Sequence, residues 1–184
     1  MIPFLLRIDV SALRAINLEW QHAWLDLFMP ILSAKWPWVV AAVVGGTALF
    51  WWRSGKERDL VWVCLFTLIV ADRVGFMIKK VVGRPRPCHV LALHMLTGCG
   101  GAPSLPSNHV INVAAQAGVI GTRFPRLAIP LSLAIVAEAY SRVYVGAHYP
   151  SDVLVAALLG AGIGWAAATA FGLRAADHTT EPGR

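Results

Sequence analysis

Three short clusters in this chain hold residue types that handle phosphate. The first runs Lys79-Lys80-Val81-Val82-Gly83-Arg84-Pro85-Arg86-Pro87, the second is Pro106-Ser107-Asn108-His109, and the third is Ser141-Arg142 followed by His148 and Asp152. Lys79, Arg86 and Arg142 are three cations able to converge on one dianionic group. Arg offers a planar fork matched to phosphate oxygens, and Lys a point charge. Ser107 and Asn108 stand where an apolar segment begins, and the free N–H groups and dipole of a helix start favour an anion. His109 and His148 are available for attack and proton transfer. Asp152, four residues beyond His148, can accept a hydrogen bond from one ring nitrogen and so leave the other as nucleophile. Positioning, charge neutralisation, nucleophile and acid are what phosphoryl transfer requires.

These side chains need elements to carry them, and the composition says which. The chain has 184 residues, enough for one domain spanning 1–184. Apolar residues make up 57%, charged residues 14%, and mean hydropathy is +0.61. Soluble domains carry about 25% charged residues, so the pattern predicts an all-α polytopic membrane bundle rather than a very apolar soluble one. Five stretches support this: 36–52, 60–82, 109–122, 127–145 and 153–173. The last is 21 residues without a charge, and about 20 apolar residues cross a bilayer. The others are short or interrupted by polar residues, as expected of helices packed around a polar site. Trp36, Trp38, Trp51 and Trp52 bracket the first stretch as interface residues. Residues 22–33 add a short, partly inserted helix, giving five or six spans.

Arg7, Asp9, Arg14 and Glu19 interrupt the N-terminal segment, which therefore does not read as a cleaved signal. Residues 4–19 alternate apolar and charged positions at helical spacing and predict an amphipathic helix lying on the membrane. Segment 1–35 is thus interfacial or partly inserted, and 174–184 reads as a flexible tail. The net charge of +6 could suit nucleic acid. No basic face with interleaved aromatics appears, however, and anionic lipid headgroups are the simpler partner. Loops 53–59 and 123–126 carry Arg53, Lys56, Arg58, Arg123 and Arg126, which marks them as cytoplasmic. The clusters at 83–108 and 146–152 then share the opposite side.

The clusters resemble the three-part signature of the type 2 phosphatidic acid phosphatase superfamily. That signature is Lys, six residues, Arg-Pro; then Pro-Ser-Gly-His; then Ser-Arg, five residues, His, three residues, Asp. The resemblance implies that Lys79, Arg86 and Arg142 bind phosphate, with Ser107 and the Asn108 backbone adding hydrogen bonds. It implies that His148 attacks phosphorus to give a phosphohistidine, that Asp152 orients it, and that His109 protonates the leaving oxygen. No metal or cofactor is implied. Asn108 replaces the family glycine, which permits close backbone approach. Asn is among the better substitutes at such positions, and its amide could donate to a phosphate oxygen.

Every one of these residues also has a plainer reading. Lys79, Lys80, Arg84 and Arg86 could snorkel to headgroups, and for Lys80 and Arg84 that competes evenly with a phosphate role. Ser107 could be a helix cap, and His109 or His148 alone a structural group. Glu138, four residues before Arg142, is expected to pair with it on one helix face. Asp72, seven residues before Lys79, could support that lysine through a neighbour. Cys64 reads as packing. Cys88 and Cys99 are candidates for a disulfide on the non-cytoplasmic side. The nearby His89 and His94 also raise a metal reading, which fits no standard zinc spacing.

The expected function is hydrolysis of a membrane lipid phosphate by an integral protein of the cell (inner) membrane whose site faces the periplasm or exterior. Undecaprenyl diphosphate is the first substrate to test, and phosphatidylglycerol phosphate, phosphatidic acid and lipid A are rivals. A phosphotransferase passing phosphate from His148 to another lipid is a second class, and a non-catalytic lipid-binding or transport protein a third. A vanadium peroxidase fits worst, because the chain is membranous and short.

Overall fold

The charge-free stretch at the end of the sequence forms helix α8 (Pro150–Ala170). It lies against α6 (Asn108–Arg123) along its whole length. A side-chain carbon at Gly160 would stand 2.3 Å from Ile111 O, and one at Gly164 would stand 2.1 Å from Ala115 O. Only glycine allows backbones this close, and its spacing of four residues keeps both positions on one face. Contacts advance in the same direction on both helices, 111 with 160 and then 115 with 164. The pair is therefore parallel, and at its head Ser107 N donates to Asp152 O at 3.4 Å. Both helix N-termini thus open at the same end.

The computed structural model describes residues 2–52, 55–101 and 103–173; the tail expected at 174–184 lies outside them. Among the described residues the regular structure is all helical, with no strand. The remaining helices are α1 (Ile2–Arg14), α2 (Ala23–Ser33), α3 (Lys35–Trp52), α4 (Lys56–Val82), the short α5 (Pro87–Val90) and α7 (Ala128–Tyr144). A π-helical turn, Ala15–Glu19, extends α1.

Among the described residues, three helical stretches are long and apolar enough to cross a membrane: Glu57–Val90, Pro125–Tyr144 and Pro150–Ala170. Ala23–Ser33 and Lys35–Trp51 make a fourth if taken as one span bent by 56°. The segment 22–33 is thus the first limb of a bent pair with 36–52. At 16 residues, α6 is shorter than the roughly 20 needed to cross. It is the central helix, packed on α4, α7 and α8.

One end of the bundle collects the chemical residues because the helix ends turn there. Gly83 takes φ 62° in the left-handed region, and its N–H caps Lys79 O at 2.9 Å. That conformation is easy for glycine alone, and it throws Arg84–Arg86 back over the bundle end. The loop 91–107 is held by Cys88 and Cys99, which form a disulfide with Cα atoms 5.9 Å apart. Asn17 clasps the loop from below. Its Nδ2 donates to His94 O (2.9 Å) and Tyr144 O (2.6 Å), and its Oδ1 accepts from His94 N at 2.9 Å.

Candidate active site

His148 sits in the five-residue turn between α7 and α8 and is 1% exposed. Its two ring nitrogens face different chemistry. Nδ1 lies 3.5 Å from Asp152 Oδ2 and 3.5 Å from Ser104 Oγ. Nε2 lies 3.1 Å from an Arg86 guanidinium nitrogen, which also donates to Ala147 O at 3.1 Å. An arginine N–H can only donate, so Nε2 carries the lone pair and Nδ1 the proton. Burial, and then the charges of Arg142 and Arg86, push the imidazole down to about 3 in pKa, against the pull of Asp152. The ring is therefore neutral at physiological pH.

Asp152 is fully buried in the first turn of α8. Oδ2 accepts the backbone N–H of Tyr149 at 3.0 Å, a helix-capping bond, and also the Ser104 hydroxyl. Oδ1 accepts from Arg84 at 2.7 Å. The sequence reading left Arg84 between headgroup and phosphate. Its guanidinium instead bridges Asp152 and Asp9 and lies 3.9 Å over the Tyr149 ring.

The three expected phosphate cations lie within reach of one another's fields: Arg86 and Arg142 both act on Lys79. Lys79 is 5% exposed and donates to Pro103 O (2.7 Å) and Ser104 O (3.2 Å). Arg142 is 8% exposed and donates to the Ser33 carbonyl at 2.9 Å and to the Ser33 hydroxyl. Neither forms an ion pair with a carboxylate among the described residues. Unpaired buried cations are costly, which makes the cluster receptive to an anion. Ser107, at the head of α6, is fully buried; its Oγ and Arg142 Nε have no hydrogen-bond partner among the described residues. His109 stands half-buried in the first turn of α6, within the fields of Arg142, Lys35 and Arg86.

Two expected supports act differently from the sequence reading. Glu138 is fully buried; its Oε2 accepts the indole N–H of Trp38 at 2.9 Å, and it acts on Arg142 through charge without a direct hydrogen bond. Arg142 turns instead to Ser33 in the bend between α2 and α3, where a free carbonyl is available. Asp72 holds Asn108, whose Nδ2 donates to Asp72 Oδ1 at 2.9 Å, and its charge also acts on Lys79. The Asn108 amide is thus committed to α4, and Gly75 makes room for it, since a side-chain carbon there would stand 3.1 Å from Asn108 Oδ1. Cys88, His89 and Cys99 lie together, but the disulfide occupies both sulfurs. Ser104, Asp9, Ser33, Trp38 and Lys35 carry no site role in the reading of the sequence. Ser104 alone gave a local signal, standing three residues before Ser107 in the second cluster.

Over 128 residues the chain is 34% identical to the decaprenylphosphoryl-5-phosphoribose phosphatase of Mycobacterium tuberculosis, covering 69% of this chain and 67% of that protein. It is 28% identical to the lipid A 4'-phosphatase of Porphyromonas gingivalis, over 89% of this chain and 72% of the relative. Its fold matches the crystal structure of a transmembrane PAP2-type phosphatidylglycerolphosphate phosphatase from Bacillus subtilis with a TM-score of 0.77 and 22% identity, covering 96% of this chain and 89% of the other. The PAP2 superfamily pattern matches residues 59–175, which include all three phosphate-handling clusters, and the chain belongs to the PAP2 superfamily.

Proposed function

We propose that this protein hydrolyses a polyprenyl lipid phosphate or diphosphate through a phosphohistidine on His148. The observation that carries the reading is the division of labour on that imidazole. Nδ1 is turned toward Asp152, and Nε2 is turned with its lone pair toward Arg86, beside Lys79 and Arg142. Nε2 attacks phosphorus in line, and a P–N bond forms as the P–O bond to the lipid breaks. His109 gives its proton to the leaving oxygen. It then takes a proton from water, whose oxygen attacks phosphorus, breaks the P–N bond and releases inorganic phosphate. Lys79, Arg86, Arg142 and the α6 head neutralise the three phosphoryl oxygens, the largest contribution in such reactions. The residues present supply these roles without a metal.

The protein lies in the cell (inner) membrane, with five spans if α6 and the bent α2–α3 pair each count once, and with α1 along the interface. The site faces the periplasm or exterior. Two features support that side: the Lys/Arg-rich loops at the opposite end, and the Cys88–Cys99 disulfide, a bond of oxidising compartments.

Undecaprenyl diphosphate leads as substrate. A polyprenyl-linked sugar phosphate is the second reading, favoured by the similarity to the decaprenyl relative. Phosphate release from purified lipids tests both: undecaprenyl diphosphate, a decaprenyl-linked ribose phosphate, phosphatidylglycerol phosphate, phosphatidic acid and lipid A, with His148→Ala as control. Turnover of a polyprenyl substrate at least tenfold above the others, abolished in the variant, is expected; each fold of ten in kcat/KM is about 1.4 kcal/mol of discrimination. Preference for a glycerolipid or lipid A would overturn the polyprenyl assignment. Full activity in His148→Ala would overturn the mechanism.

A further inference from the structure

The carboxylate of Asp9, on α1, has no role in the scheme above, yet it is 7% exposed and lies three polar contacts from the nucleophile. Oδ2 accepts from Arg84 at 2.6 Å and from the Ser151 hydroxyl, and Oδ1 accepts the Ser151 backbone N–H at 2.9 Å. Arg84 passes its other terminal nitrogen to Asp152 Oδ1 at 2.7 Å. Asp152 Oδ2 in turn faces His148 Nδ1. The first three groups thus alternate in charge, carboxylate, guanidinium, carboxylate, and the series ends on the imidazole. The α1 residue stands 143 positions from Asp152 in the sequence, so the series forms only when the N-terminal helix is docked on α8.

We propose that Asp9 is a positioning residue for the nucleophile, acting through Arg84 and Asp152. Attack by Nε2 leaves the imidazole ring cationic, and Asp152 must stabilise that charge through Nδ1–H. Were Arg84 to lean on Asp152 alone, its charge would neutralise the carboxylate and weaken this pull. Asp9 takes half of the guanidinium and leaves Asp152 net anionic toward His148. The fixed fork of arginine suits this sharing, because one guanidinium can engage two carboxylates through separate nitrogens. The Tyr149 ring beneath the guanidinium holds its plane.

A structural staple would use the same contacts, and charge separates the two roles. Asp9→Asn keeps the size and an oxygen for the Ser151 N–H but removes the charge, whereas Asp9→Glu restores it. The inference rests on the phosphohistidine reading, so His148→Ala runs beside these variants. Turnover by the full chain in detergent is measured on whichever of undecaprenyl diphosphate, phosphatidylglycerol phosphate and phosphatidic acid wild type uses fastest. Asp9→Asn is expected to lower kcat about tenfold with KM within about twofold, the signature of an interaction made in the transition state. Asp9→Glu should recover to within about threefold of wild type. Combined with Arg84→Gln, Asp9→Asn should add no further loss, since the two act as one unit. Wild-type kcat in Asp9→Asn, multiplicative losses in the double variant, or a kcat loss that follows melting temperature without rescue by Glu would each overturn the role. Activity surviving in His148→Ala would instead remove the reading beneath it.

Discussion

The side-chain amide of Asn108 donates to Asp72 Oδ1 at 2.9 Å and so ties the first turn of α6 to α4. The side chain that departs from the family signature is therefore engaged between helices. Asn108→Gly should leave kcat/KM within about threefold while lowering stability by about 1 kcal/mol, the sum of a modest hydrogen bond and a glycine in a helical turn. Phosphate release and thermal melting in detergent, run on the same preparations, check both halves.

Ser104 donates to Asp152 Oδ2 and lies against His148 Nδ1. Ser104→Ala leaves a buried carboxylate oxygen short of a donor and loosens the imidazole. A fall in kcat of about tenfold to a hundredfold with little change in KM is expected, since one such bond is worth about 1–3 kcal/mol. Steady-state kinetics decide it, and a rise in KM alone would place Ser104 in substrate binding instead.

His148 gives a pH signature. Its ring is held at about 3, against an ordinary value of 6.5, so between those values the unfolded chain binds a proton that the folded chain does not. Stability must then fall as pH drops through this window and be fully present above 6.5. From pH 6.5 to pH 5 the loss is about 2 kcal/mol for one group. His148→Gln, which cannot titrate, should remove that part of the slope in melting curves recorded across the range.

The glycine seam between α6 and α8 can be tested by position. Gly164→Ala would force a methyl against Ala115 O and is expected to cost about 3 kcal/mol or more. It should abolish activity by moving the α6 head off His148. Gly162, one turn-face away, has nothing within 4 Å of a side-chain carbon, so Gly162→Ala should be neutral or slightly stabilising. Yield of folded protein and melting temperature distinguish the two.

Much of this arrangement can be read in the residues themselves. Runs without charge announce α8 and the apolar part of α4, because a bilayer-crossing helix needs little else. Spacing within the clusters names the groups that the fold gathers at one end, since Lys79, Ser107, Arg142 and His148 each lie at a helix terminus. Partners on distant elements leave no local pattern. Asp9 on Arg84 and Ser33 on Arg142 depend on how α1 and the α2–α3 bend dock, which is a matter of tertiary packing. Glu138 shows the same limit: helical spacing puts it beside Arg142, but an indole from α3 is the better-placed partner. The seam of Gly160 and Gly164 against α6 is likewise a product of tertiary packing, since spacing alone does not name the opposing helix.

The parallel course of α6 and α8 has one further consequence. Each helix start carries about half a positive charge from its aligned peptide units, and here two starts lie at the same end of the bundle. That portion of the attraction belongs to the main chain. No side-chain substitution removes it, and no proton titrates it. Variants stripped of Lys79, Arg86 or Arg142 should therefore retain a floor of affinity for phosphate or vanadate after turnover has vanished. Loss of catalysis and loss of the ligand will then part company in this protein.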